Sequence, residues 1–191
     1  MSSICGRVVG EFTAKNGARV VVRYVRWEDI CDYYELWKSL ARDKEVVKYL
    51  GVVEEIDFST CVDRFSRIVA SVEKGKEIRL VAEVDGKVVG YVSIKIEGGS
   101  FRHRGWLGII IRREYRDLGI GTRLLEAVVR EAKRMGLKLI LLETSSLNSR
   151  AIHVFRKVGF REIGVVPGGL CIDNRCVDTL FMVLRLDFSE L

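Results

Sequence analysis

Glutamine is absent from this sequence, proline occurs once, at Pro167, histidine twice and asparagine three times. With no Pro/Gly/Ser-rich tract to act as a linker, the chain reads as one domain over residues 1–191. No apolar run approaches the roughly 20 residues of a membrane helix. The longest, such as WLGIII and LILL, are short, so no membrane partner is expected. MSSICGRVVG carries neither a basic leader segment nor a long apolar one, which makes the cytoplasm the expected setting. His103, His153 and the scattered Cys5, Cys31, Cys61, Cys171 and Cys176 lack the paired spacing of a zinc site. No metal is expected. Scarce amide side chains beside abundant Lys, Arg and Glu lean towards life at high temperature.

What is present is an ordinary globular balance: 191 residues, 48% hydrophobic and 30% charged, enough to bury a sizeable core. The formal net charge of +6 favours an anionic partner. The basic residues are spread along the chain, and a phosphate-bearing cofactor fits the excess at least as well as nucleic acid does, so nucleic acid is not the expected partner.

RVVGEFTAKNGARVVVRYV predicts a hairpin over residues 7–25 turning at Asn16-Gly17. WEDICDYYELWKSLARD predicts a helix with Asp29 as a cap, and DFSTCVDRFSRIVASVEKGKE a second, burying Val62, Phe65, Ile68, Val69 and Val72 and ending at Gly75. The period then changes to two. IRLVAEVDGKVVGYVSIKIE predicts two strands about Asp85-Gly86, and FRHRGWLGIII a third. Residues 119–135 predict a helix burying Ile120, Leu124, Val128, Ala132 and Met135; LKLILLET a buried strand; NSRAIHVFRKVG a short helix capped by Asn148 and ended by Gly159. FREIGVVPGG and RCVDTLFMVLRL predict the last strands. This order implies an α/β (α+β) domain, a mixed sheet flanked by helices. In CIDNRC a turn at Asp173-Asn174 would set Cys171 opposite Cys176. A disulfide is one reading; two reduced, half-buried thiols are the expected one.

REYRDLGIGTRLL joins strand to helix through two glycines. Simple punctuation explains it, and so does a phosphate cradle. The dinucleotide fingerprint fails because its third glycine would be Leu124, and a Walker loop fails for want of a lysine. What remains is Arg116-x-x-Gly119-x-Gly121 at a helix N-terminus, where free N–H groups and the helix dipole favour an anion and Arg116 and Arg123 add charge.

Together with Asn148, Ala151, Gly159 and Phe160 of NSRAIHVFRKVGF, this turn resembles the Gcn5-related N-acetyltransferases (GNAT), over about the central third of the chain. The resemblance implies a mostly antiparallel central sheet splayed at the cofactor site, with a cofactor-binding core over about 78–166. It implies acetyl-CoA as co-substrate: pyrophosphate on the turn formed by Arg116, Asp117, Leu118, Gly119, Ile120, Gly121 and Thr122, and the pantetheine arm along Ile109, Ile110 and Ile111. Asn148 and Phe155 would also contact the cofactor. The implied reaction is direct attack of a primary amine, on a small molecule or a protein, on the thioester. Backbone N–H groups of the splayed strand would polarise the carbonyl. Glu143 is the candidate base, set against a reading as a strand-end carboxylate held for structure.

One departure matters. Many family members place a tyrosine at position 155 to protonate the leaving thiolate, whereas this chain has Phe155. Water, Tyr91 or Tyr115 would then supply the proton. An alternative is a CoA-binding sensor or interaction domain of the same fold with little turnover, and a third class, an RNA-associated domain, rests on the net charge alone. His103, between two arginines, and His153 are read as surface residues. The C-terminal hairpin offers an edge through which a homodimer could form. The acceptor is not specified.

Overall fold

The computed structural model describes residues 3–50, 55–172 and 175–186. Strands β1 (Val8–Thr13) and β2 (Arg19–Tyr24) form the first hairpin, followed by helices α1 (Ile30–Ala41), α2 (Lys44–Leu50) and α3 (Phe58–Glu73). Next come β3 (Glu77–Val84), β4 (Lys87–Ile96), β5 (Arg104–Ile111), α4 (Ile120–Arg134), β6 (Leu139–Ser145), α5 (Ser149–Val158), β7 (Arg161–Ile172) and β8 (Arg175–Arg185). One eight-stranded sheet runs in the order β1-β2-β3-β4-β5-β6-β8-β7. Every neighbouring pair is antiparallel except β5 and β6.

Local chemistry sets the connections. Asp85 and Gly86 both have positive φ, 48° and 75°, the geometry of a two-residue hairpin whose twist suits the flanking strands. Asp57 caps α3 by accepting from Thr60 N–H at 2.7 Å, and Asn148 caps α5 by accepting from Ala151 N–H at 3.2 Å. Asp29 behaves differently from a simple cap. It stands at the N-cap of α1 but gives that helix no side-chain bond. Its carboxylate takes both ends of the Arg23 guanidinium, at 2.6 and 2.8 Å, and the N–H of Arg26 at 2.9 Å. Arg23 also reaches Glu83 at 2.7 Å. A buried ion pair therefore fastens β2, β3 and the start of α1, which the helical spacing alone did not suggest.

β3 is buried along both faces, Glu77 and Arg79 included. Helix α4 packs on β3 and β4, α1 on β4 and α3 on β3, so the sheet centre is covered on both sides. Leu124, Leu125 and Val128 of α4 are fully buried, each contributing about 1.5–3 kcal/mol by leaving water. Met135, expected on that face, is 36% exposed because it lies past the helix end. Residues 101–103, expected in β5, form a turn instead. The carbonyl of His103 there accepts from the N–H groups of Lys138 and Leu139, which ties the turn to the start of β6. At the C-terminal hairpin Cys171 and Cys176 are exposed and joined as a disulfide, not the reduced, half-buried pair expected. Their cross-strand pairing puts the two sulfurs face to face. The turn at Asp173-Asn174 lies outside the described residues.

Candidate functional site

β5 and β6 begin as parallel neighbours and then part. They pair only at Arg104 with Leu139, Gly105 with Ile140 and Trp106 with Leu141. Beyond that point β5 stays on β4 as far as Ile111, while β6 stays on β8 as far as Ser145. From Leu107 to Ile111, one edge of β5 faces no strand, and its backbone polar groups need another partner. The gap is a cleft of about 730 Å³, lined by Ile109, Ile110, Ile111, Arg116, Asp117, Gly119, Gly121, Thr122, Glu143, Asn148 and Phe155, among others. Eleven of the sequence-predicted residues thus meet in one place. Leu118 and Ile120 do not line it: Ile120 is in the core and Leu118 packs against it, so any contact they make is through the backbone.

The turn into α4 stands at the end of β5. Gly119, the N-cap, has φ +85°, and the preceding Asp117 has φ +63°. A Cβ on Gly119 would meet nothing within 4 Å. Backbone conformation, at about 1–2 kcal/mol for an L-residue in the left-handed region, is therefore what demands glycine there. Gly121 answers to packing: its Cβ would lie 3.2 Å from the Ile111 side chain. The first N–H groups of α4 have no acceptor within the helix, and the helix dipole adds partial positive charge beside the cleft.

Arg116 is not the free cation that its position in the turn suggested. Its guanidinium bonds the Ile111 carbonyl at 3.0 Å, Glu45 at 3.0 Å and Asp43 at 2.5 Å. Burial alone would push the Asp43 carboxyl up. The Arg116 bond and charge, with the N–H groups of Glu45 and Val46, outweigh burial and hold it below the usual aspartate range. Arg123 pairs with Glu126 at 3.1 Å. Arg150 pairs with Asp117 at 3.5 Å and Glu45 at 3.6 Å. A further cation near the turn is Lys15, brought there by the β1–β2 hairpin: its backbone N–H donates to the Leu118 carbonyl at 3.2 Å. Lys15 lines the cleft, and among the described residues no ion pair holds it. Sequence reasoning missed it because only the fold brings that turn next to α4.

The opposite wall holds an acidic residue and several aromatic ones. Glu143, on β6, is exposed towards the cleft, and among the described residues no hydrogen bond or ion pair ties it down. Phe155 is 5% exposed and packs on Phe160 with ring centroids 5.9 Å apart. Of the tyrosines considered, Tyr91 lines the cleft and Tyr115 does not; Tyr49, from the unforeseen α2, does. Burial raises the Tyr91 phenol above its ordinary range despite the opposing Arg79 charge, so at neutral pH it keeps its proton. Arg79 itself lies over the Tyr91 ring, 4.4 Å from its centroid. The Asn148 side-chain oxygen is taken by its cap, leaving the amide NH2 as its remaining donor. His153 is exposed at the cleft wall. Among the described residues there is no cluster of three or more His, Cys, Asp or Glu able to hold a metal, and no helix long and apolar enough to cross a membrane.

The model of the Acetyltransferase (GNAT) family matches residues 27–160. An N-alpha-acetyltransferase of Sulfurisphaera tokodaii is 38% identical over 96 residues, which cover 45% of this chain and 58% of that protein. The chain thus spans less than two thirds of that relative's length. The L-methionine sulfoximine/L-methionine sulfone acetyltransferase of Pseudomonas paraeruginosa is 30% identical over 124 residues, 62% of this chain and 70% of its own. Among solved structures, YncA of Salmonella typhimurium with its cofactor acetyl-CoA superposes with a TM-score of 0.77 at 22% identity, covering 90% of this chain and 96% of that one. That likeness concerns the fold.

Proposed function

The chain belongs to the GNAT acetyltransferase family, and from that premise we propose that it transfers the acetyl group of acetyl-CoA to a primary amine, as a single domain over residues 1–191. The observation that carries the proposal is the coincidence, in one cleft, of the unpaired edge of β5 and the N-terminus of α4. A pantetheine-like chain with amide groups suits the first, and a diphosphate suits the second. The N–H groups of Gly119, Ile120, Gly121 and Thr122 would hold the pyrophosphate, with Lys15 as the added charge. Ile109 to Ile111 and Asn148 would bind the arm. The setting is the cytoplasm, and the C-terminal hairpin is a candidate homodimer edge.

Within this reading each residue has a defined task. Glu143, untethered at the cleft wall, receives the amine proton directly or through water. Backbone N–H groups on the free edge of β5 polarise the thioester carbonyl. Phe155 packs and excludes water, and the proton for the leaving thiolate comes from Tyr91 or solvent. The relatives act, by name, at an α-amine and on L-methionine sulfoximine and sulfone, and each such acceptor has a primary amine. The test is thiol release from acetyl-CoA by the purified protein across a panel of amines. Acceptor-dependent release is expected; acetyl-CoA binding without release from any amine would favour a sensor of the same fold.

A further inference from the structure

On β3, Arg79 is a buried arginine with an unused hydrogen-bonding group. It is 5% exposed, yet it lines the cleft. Its Nε donates to Glu77 at 2.7 Å, whereas among the described residues NH1 has no hydrogen-bond partner at all. Buried guanidinium donors are ordinarily satisfied, and an orphaned one is costly. NH1 is itself buried, but the side chain borders the cleft, so an acceptor entering there would complete its hydrogen bonding.

Register shows where that acceptor would sit. Arg79 stands directly opposite Ser93 on β4, and Ser93 opposite Gly108 on β5. This cross-strand row therefore runs from the orphaned guanidinium to the stretch of β5 whose outer edge is unpaired. Tyr91 and Tyr33 flank the guanidinium, at 4.4 and 6.0 Å from their ring centroids, so aromatic rings wall this part of the cleft. Lys95, opposite Glu77 in the ladder, lines the same cleft. Lys95 would thus be a second cation beside an anion seated on Arg79, with Glu77 already bonded to the Arg79 Nε and Glu143 lining the same cleft. A planar fork in an apolar setting favours a carboxylate.

Building on the acetyltransferase reading, we infer that the acceptor is a small amine bearing a carboxylate close to its amino group, as in a free α-amino acid, and that Arg79 binds this carboxylate. The carboxylate seats on Arg79 and the amine, two bonds away, points along the row towards β5. Arg79 thus selects the acceptor without entering the proton transfers.

The test compares free L-amino acids with their carboxamides and their decarboxylated amines, by acetyl-CoA-dependent thiol release. The acid is expected to exceed its amide by about tenfold or more in kcat/KM, the weight of a charged hydrogen bond. The amide's amine is less basic, so more of it is neutral, which biases the comparison against this result. Arg79→Gln should bring the ratio close to one, and Arg79→Lys should leave it intermediate; a purely structural arginine would change overall rate but not the ratio. In parallel, calorimetry with CoA present measures N-acetyl-L-leucine against N-acetyl-L-leucinamide, which needs no turnover. Preference for the acid in that arm supports the inference even if no amine is acetylated, an outcome that would overturn the enzymatic reading alone. Equal use of acid and amide, equal binding of the two products, or peptides with acidic second residues outperforming every free amino acid would overturn it.

Discussion

Arg116 is the residue whose sequence position and structural position disagree most, and its replacement separates the two. If it chiefly neutralises a phosphate, Arg116→Ala weakens acetyl-CoA binding and leaves stability nearly intact. The geometry says otherwise. Its side chain is 14% exposed and Asp43's is 6% exposed, while Glu45 is half in solvent. The Asp43 contact therefore carries most of the energy, and the Glu45 contact falls in the range of about 0–1 kcal/mol typical of surface pairs. Arg116→Ala and Asp43→Ala should each cost about 2–3 kcal/mol, somewhat under the loss of one partner from a fully buried pair. The double variant should cost little more than either, a coupling of about 1–3 kcal/mol. Urea unfolding of the four proteins gives these numbers, and calorimetry at two salt concentrations gives acetyl-CoA affinity. The pH dependence has a fixed sign. Asp43's carboxyl is lowered in the folded protein, so the contribution is full above the ordinary aspartate value of about 3.9 and is lost as pH falls through the lowered native value. A near-neutral Asp43→Ala, beside an Arg116→Ala that loses only salt-sensitive acetyl-CoA affinity, would refute the assignment.

Three further outcomes are expected. Glu143→Gln should lower kcat by about a hundredfold, with urea stability within about 0.5 kcal/mol of the parent because the side chain is exposed and untethered; an unchanged rate would remove Glu143 as the base. Phe155→Tyr should raise kcat by about tenfold if the missing hydroxyl limits thiolate departure, and identical pre-steady-state rates would show that the proton already comes from elsewhere. Asp29→Ala should destabilise the fold by about 3–5 kcal/mol, since it strands Arg23 in a buried site where both side chains are 4% exposed; a loss under 1 kcal/mol in urea would mean that Glu83 alone satisfies the guanidinium.

The parts legible in the sequence were those written in contiguous residues. Asn16-Gly17 and Asp85-Gly86 specify their hairpins through turn geometry, and the spacing of Ile120, Leu124 and Val128 specifies α4. The glycine turn and the Asn148 helix, each picked out locally in the sequence, line one cleft in the structure. The misread parts depend on distant partners. Helix α2 is only seven residues long and half charged or aromatic, too short for periodicity to stand out, so its gifts to the site, Asp43 just before it, Glu45 and Tyr49, were invisible. Arg116 looked free because its acidic partners lie 71 and 73 residues away. Arg79 is one of three charged residues in a strand read by its alternating pattern, and nothing local distinguishes an orphaned guanidinium from a paired one.

The three rungs between β5 and β6 have a mechanical consequence. They are the seam between a five-stranded panel, β1 to β5, and a three-stranded panel, β6 to β8. A seam closed at one end only leaves the rest of the join to helices: α2 against β6 and β7, and α4 against α5. A strand-like ligand filling the open half would add rungs to the same seam.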